Sequence, residues 1–330
     1  MRPRDLAAPA AIVAIATLLV LGPPVVLVGY AFQHAEDAHR WLASFVGAAF
    51  VEQLRVSIQV AFLSAAVSVG GALPLALATA RARLPGQWAI ECCALSPLLL
   101  APYTAAGAWA GIFDLKFGQG PVPMAIEIGL ASLPWTYLLL RVALARIPAT
   151  FDEVARVNGL PARQAFFQVR LKLLFGPSAA GAVFAAARAF GDFGCAERNG
   201  VNSFGVAFHR VWTSSQSDAA AAALAAVSCL PGLLLAVVCL LFWRRYVPVV
   251  PPSGGGGAEG AAPRSPSTAL GAFAWVWAIG ILLLGFLIPE GQYLVWARQV
   301  ATPNLAKVLA VGAATLVNGV VVGGGLALLA

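Results

Sequence analysis

The feature that most limits what this chain can fold into is its run of long apolar blocks. Stretches with hardly a charge recur from one end to the other, each long enough to match the roughly 20 residues that cross a bilayer's hydrocarbon. Such a segment leaves no polar face for water, and in lipid its backbone must satisfy its own hydrogen bonds. Eight blocks read as candidate spans: Ala10–Phe32, Val56–Ala80, Trp88–Phe113, Pro121–Leu140, Gly176–Phe193, Ala219–Phe242, Ala269–Ile288 and Leu305–Ala330. The first is too long for the apolar core of a signal peptide and lacks a small-residue cleavage site, so it is expected to stay. The expected fold class is an all-α polytopic membrane protein.

Composition supports that reading. Of 330 residues, 60% are hydrophobic and 11% charged, less than half the roughly 25% charge of a soluble domain. Disordered, collagen-like and disulfide-stapled classes are excluded. A net charge of +7 does not imply nucleic acid, because the Lys and Arg residues flank apolar blocks and form no basic face. The expected contact is membrane lipid. With the N-terminus inside, thirteen Lys and Arg fall on inner segments, among them Arg2, Arg4, Arg81, Arg141, Arg163 and Arg244, and six on outer ones. The positive-inside bias therefore predicts a cytoplasmic N-terminus. Of the five cysteines, Cys92, Cys93, Cys229 and Cys239 lie within apolar runs and Cys195 stands apart. No metal or redox spacing joins them, and buried structural thiols are expected.

Residues 246–268, with Pro251-Pro252-Ser253 and the glycines Gly254 to Gly257, read as a flexible cytoplasmic linker. The linker separates six spans (1–245) from two (269–330). Leu21-Gly22-Pro23 is echoed by Leu284-Gly285 and Pro289, and Leu75-Ala-Leu77 by Leu326-Ala-Leu328, which suggests that 269–330 begins a second copy of the first unit. The chain stops at Ala330 within an apolar run, so that copy is expected to be truncated.

The longest ordered-looking polar stretch, residues 149–174, lies between the fourth and fifth blocks. Thr150 and Glu153 form a capping box, Asn158-Gly159 supplies a positive-φ stop, and Pro161 suits the first turn of a second helix. Ala162, Phe166, Val169 and Leu173 then share one apolar stripe. The expectation is two short helices joined by a sharp turn at the membrane surface, either as a simple connection or as a docking element.

The spacing Glu153-Val154-Ala155, three residues, Gly159, nine residues, Val169-x-Leu171 resembles the EAA loop of ABC importer permeases. Val154, Val169 and Lys172 depart from that family's pattern of alanine, isoleucine and proline. Pro97–Tyr103 with Gly111–Asp114, Pro134-Trp-Thr-Tyr137, Gly191–Gly194, Phe204-Gly205, Arg210–Trp212 and Gln292–Trp296 are similar, in order, to permeases of the ferric-iron type. The resemblance implies a six-span permease half followed by the first two spans of a second. It also implies an EAA loop (Glu153, Ala155, Gly159, Val169, Leu171) that docks on separate nucleotide-binding ATPase subunits, and cargo delivered by a periplasmic binding protein at the inner membrane. No Walker A sequence occurs. The expectation is therefore a non-enzymatic chain that binds no cofactor or metal, with ATP and Mg on the partner. Thiamine, phosphonate, sulfate or molybdate remain alternative cargoes, and a proton-coupled carrier an alternative class.

Ionisable residues inside spans are costly and become candidates for function. Arg188 and Asp192, four apart, can pair on one helix face; with Phe193 and Gly194 they are either a polar element beside the translocation path or a packing pair. Glu127 is either a path or a packing residue. His34, Glu36, Asp37 and His39 form an outer loop in which a solvated role is expected.

Overall fold

The computed structural model describes residues 48–81, 84–113, 119–146, 171–214 and 268–299, with isolated residues within 22–36, 157–164 and 222–237. The expected spans Ala10–Phe32, Ala219–Phe242 and Leu305–Ala330, and the linker, lie almost wholly outside the described residues. Among the described residues every regular element is helical. In chain order these are α1 (Ala48–Arg81), α2 (Gln87–Leu95), a 3₁₀ turn (Ser96–Leu99), α3 (Pro102–Ile112), α4 (Pro121–Arg146) and α5 (Leu171–Gly191). Then follow α6 (Phe193–Arg198), α7 (Phe204–Ser214), α8 (Thr268–Leu282), a π-helical turn (Leu283–Leu287) and α9 (Ile288–Gln299). Among the described residues four helical segments are long and apolar enough to cross a membrane: Phe50–Ala80, Pro121–Ala145, Leu171–Gly191 and Thr268–Arg298.

The bundle is built around α1, α4 and α5, which pack on one another most extensively. Small residues let them approach. A Cβ on Gly129 would fall 2.6 Å from Val67 Cβ, and one on Gly181 would overlap Thr136. In lipid, where apolar burial gives little drive for helices to associate, such close backbone contact and interhelical hydrogen bonds supply it. The bonds are present. Ser68 and Thr136 share a hydroxyl–hydroxyl bond of 2.7 Å, and Thr79 meets the Tyr137 hydroxyl at 3.2 Å. Leu75, Leu133, Leu140 and Leu174 fill one end of the seam, and Val60, Met124 and Ile128 the other.

The expected straight span Trp88–Phe113 is broken. Its two halves, Gln87–Leu99 and Pro102–Ile112, meet at 89°. Pro102 has no N–H to continue a ladder, and the residue before a proline avoids the α region; Leu100 and Ala101 are accordingly extended. Proline alone does not cause this, since Pro74, Pro134 and Pro177 lie inside unbroken helices.

What holds the bend is the segment 268–299. The Trp275 indole donates to the Pro85 carbonyl at 3.2 Å on one side of the break, and the Tyr293 hydroxyl to the Thr104 carbonyl at 2.9 Å on the other. Between them Gly285, in the π-turn, lies so close to Pro97 that a Cβ would come within 2.7 Å of Cγ. Trp296 covers Gly111 just as tightly. A third bond, Trp277 Nε1 to the Gly71 carbonyl at 2.8 Å, lands on α1 itself.

This interlock makes a prediction. Gly285→Leu overpacks the contact with Pro97 and should cost about 1–3 kcal/mol, seen as a lower unfolding midpoint in detergent. Gly280→Ala, where a Cβ meets nothing within 4 Å, should leave the midpoint unchanged or slightly raised.

Candidate functional site

The polar centre of the bundle is assembled where α4 passes α5 and α6. Glu127 lies one and a half turns into α4 and is 4% exposed. Its Oε2 accepts from Asn199 Nδ2 at 2.7 Å and from the Cys195 thiol at 3.1 Å. Its Oε1 is buried and has no partner among the described residues, and the same holds for Asn199 Oδ1. One orphaned buried acceptor costs about 1–3 kcal/mol, so two together mark a place kept for something other than packing.

Local sequence explains why Cys195 and Asn199 face Glu127. α5 stops at Gly191, and extended Asp192 then caps α6 by accepting the Cys195 N–H at 2.7 Å. The pattern of Asp followed three residues later by an exposed amide is the ordinary N-cap. After six residues α6 ends at Arg198; Asn199 is its C-cap, and Gly200 takes φ +64 to turn the chain away. The short helix thereby presents Cys195 and Asn199, one turn apart, to the same side. Asn199 also accepts the Gly120 N–H at 2.9 Å, which ties the start of α4 to the end of α6. Burial, reinforced by the nearby Glu127 and Asp192 carboxyls, pushes the Cys195 thiol up from its ordinary range. It remains a thiol donor and offers no thiolate.

The expected Arg188–Asp192 pair is not formed. The four-residue spacing needs one continuous helix, and the break at Gly191 takes Asp192 off that face. Arg188 Nη1 instead donates to the Ala131 carbonyl on α4, at 3.3 Å. Burial raises the Asp192 carboxyl, opposed by the Cys195 N–H and by Arg188. Phe193 and Gly194 begin α6 and do not lie at the end of α5 as expected. Phe193 stacks on the His209 ring at 3.9 Å, and Gly194 rests against Tyr103. Ser57 of α1 accepts the Phe204 N–H at 2.8 Å and so caps α7.

A small cavity, with room for a water-sized occupant, adjoins this cluster. Glu127, Leu130 and Ala131 of α4 line it, together with Pro97 and Leu100 at the break and Leu284 and Gly285 of the π-turn. Among the described residues no group of three or more His, Cys, Asp or Glu is placed to hold a metal ion. His34 is exposed and its ring lies 3.1 Å from the Tyr30 carbonyl, while Asp37 and His39 fall outside the described residues. Cys92 is exposed on α2, contrary to the expectation of burial, while Cys195 is buried.

In the loop between α4 and α5, Glu153, Ala155 and Val169 lie outside the described residues. Gly159 is an exposed turn at φ +73, with helical Val157 before it and helical Gln164 after it. Leu171 is the first residue of α5 and is partly buried.

Asn199 was not singled out from the sequence, although Asn-Gly at the close of a six-residue helix is a stop signal. Its pairing with Glu127, 72 positions away, had no local sign. Asn199→Ala should therefore destabilise the chain by about 1–3 kcal/mol, because it strips one donor from a buried carboxyl. Cys195→Ser, which keeps a donor, should cost clearly less; chemical unfolding in detergent measures both.

Among curated proteins, none matches the chain. Residues 19–248 match the family profile of the binding-protein-dependent transport system inner membrane component. That stretch takes in α1 to α7 and the loop that carries Gly159. With its membrane-crossing helices and this match over more than half its length, the chain belongs to the family of inner membrane components of binding-protein-dependent transport systems, and is a multi-pass permease component of ABC importers.

Proposed function

We propose that this chain lines the path by which an ATP-driven importer admits ferric iron handed over by a periplasmic binding protein. The observation that carries the coupling half of this reading is the turn at Gly159. A polar loop between two membrane helices holds its glycine at φ +73, where a side chain is strained. A Cβ there would meet nothing within 4 Å among the described residues. The turn is thus shaped by its backbone and open to a partner, as a docking element must be. Asp152 and Glu153 sit at the start of the preceding helix in sequence, where negative charge suits both the helix dipole and basic groups on an ATPase surface.

In this reading the N-terminus is cytoplasmic, residues 1–245 form the first permease half, 246–268 a linker and 269–330 the start of the second. Two ATPase subunits close on ATP, pull the loop of residues 149–174 and rock the helices that α5 and α4 belong to. No catalytic group is asked of this chain, since hydrolysis occurs on the partner. The choice of iron over thiamine, phosphonate, sulfate or molybdate rests on the ordered likeness of Pro97–Tyr103, Gly191–Gly194 and Arg210–Trp212 to ferric permeases. Arg188, Asp192, Phe193 and Gly194 then lie near the path, with Asp192 acting through the helix it caps.

The test is uptake of radioactive ferric iron by cells that carry the chain with its ATPase and binding-protein partners. Gly159→Asp should abolish uptake while leaving membrane insertion at the level of the unaltered chain. Full uptake by that variant would overturn the coupling role; uptake of another cargo in place of iron would overturn only the substrate.

A further inference from the structure

In the cluster around Glu127 the side-chain donors are spent and two acceptors are left over. Asn199 spends its amide nitrogen on Glu127 Oε2 at 2.7 Å and on the Cys195 carbonyl at 3.0 Å. A flipped amide would set oxygen against oxygen at both places, so the orientation is fixed. Asn199 Oδ1 and Glu127 Oε1 are thereby left without donors, on residues 2% and 4% exposed.

Charge leads the same way. The ionisable groups that face one another here are Glu127 on α4, Asp192 and Cys195 at the start of α6, and Arg188 on α5. Cys195 is a neutral thiol, so two carboxyl groups share one guanidinium, whose Nη1 is turned to the Ala131 carbonyl. The broken span contributes Pro97, Leu100, Ala105 and Trp109 to the cavity wall, and the π-turn contributes Leu284 and Gly285. None of these can carry charge. An uncompensated negative charge within a bilayer is expensive, and such residues face a partner or a cavity.

The backbone is irregular on two sides of the cavity, at the 89° bend and at the π-turn. Non-helical backbone at membrane depth is tolerated where protein or a cavity satisfies it, and π-turns recur at functional positions. Three departures from regular helix packing thus meet at one point: the bend, the π-turn and the half-satisfied carboxyl.

We propose that Glu127, positioned by Asn199, forms the acceptor side of a cation site in the helix bundle, holding one small cation, either a proton or an alkali ion, at the cavity between the break and the π-turn. An anion does not fit, since the unpaired atom that Glu127 presents there is a carboxyl oxygen and Asp192 adds a second acid nearby. The water-sized space suits a bare ion or a single proton on Oε1 with its acceptor water. Bound there, the cation satisfies the orphaned Glu127 Oε1 and, through the bond from Asn199, stiffens the contact between α4 and α6.

The experiment uses the purified full chain in detergent and has two arms. Infrared spectra at neutral pH are compared between the unaltered chain and Glu127→Gln for the carbonyl stretch of a protonated carboxyl. Thermal unfolding is followed in sodium chloride and in choline chloride at equal ionic strength. A carboxyl band missing from Glu127→Gln identifies a held proton. A sodium-dependent rise of about 2 °C or more, lost in Glu127→Gln, identifies an alkali ion. In that second case Asn199→Ala should raise the half-saturating sodium concentration by about tenfold, which keeps a reading available should Glu127→Gln fail to fold. If neither the band nor the sodium effect depends on Glu127 or Asn199, the site is wrong. Neither arm needs ATP, a partner or cargo, so that failure leaves the transport reading untouched, and loss of iron uptake leaves this one untouched.

Discussion

Inside a bilayer no water stands by to accept a neglected N–H or receive a stray carbonyl, and the rest of this structure follows from that constraint. Wherever the chain winds as a continuous helix the obligation is met locally, and α1, α4 and α5 meet it over most of their lengths, apart from the bond each internal proline forgoes. At Leu100 and Ala101 the helix is interrupted, and Ala101 is tied back by its carbonyl, which accepts from Ala105 N–H and the Thr104 hydroxyl. The two halves are braced from outside by a segment far along the sequence: Trp275 donates to the Pro85 carbonyl before the first half, and Tyr293 to the Thr104 carbonyl in the second. The bend in the third span and the seat of residues 268–299 are thus one feature. Each accounts for the other.

Much of the architecture was legible in the sequence because hydropathy over 20 residues is a strong signal. The spans starting at Val56, Pro121, Gly176 and Ala269 correspond to helices with ends shifted by several residues. The Gly159 turn was legible from Asn-Gly after a helical stretch, and its left-handed φ is of the kind that dipeptide announces. The bend was not legible. Prolines at 74, 134 and 177 look no different in sequence from those at 97 and 102, yet only the latter pair breaks a span. What separates them is the tight contact of Gly285 and Trp296 with that span, a tertiary fact no window of the sequence contains.

The site divides the same way. Glu127 stood out as a lone carboxylate in an apolar span, and Asp192 as an acid near a helix end. Spacing alone made a partner of Arg188 for Asp192. One residue of extended backbone after Gly191 was enough to change that, and the capping bond to Cys195 took the acid instead. Asn199 carried no signal at all beyond its turn, because an amide's role is decided by what it reaches across the bundle. Substrate identity is equally invisible to composition. It rests on ordered motifs, whereas membership of the permease family rests on a match across residues 19–248.

α1 is 34 residues long, about 51 Å as a rod, well beyond the roughly 30 Å of hydrocarbon it must cross. Near one end Ser57 anchors the first amide of α7; near the other Thr79 touches Tyr137 of α4. A stiff beam fastened at two such distant points converts angle into travel: a tilt of about 5° would sweep one tip through about 4 Å while the opposite tip stayed put. Disturbance felt on one side of the bilayer therefore has a mechanical route to the other that does not require any helix to unwind.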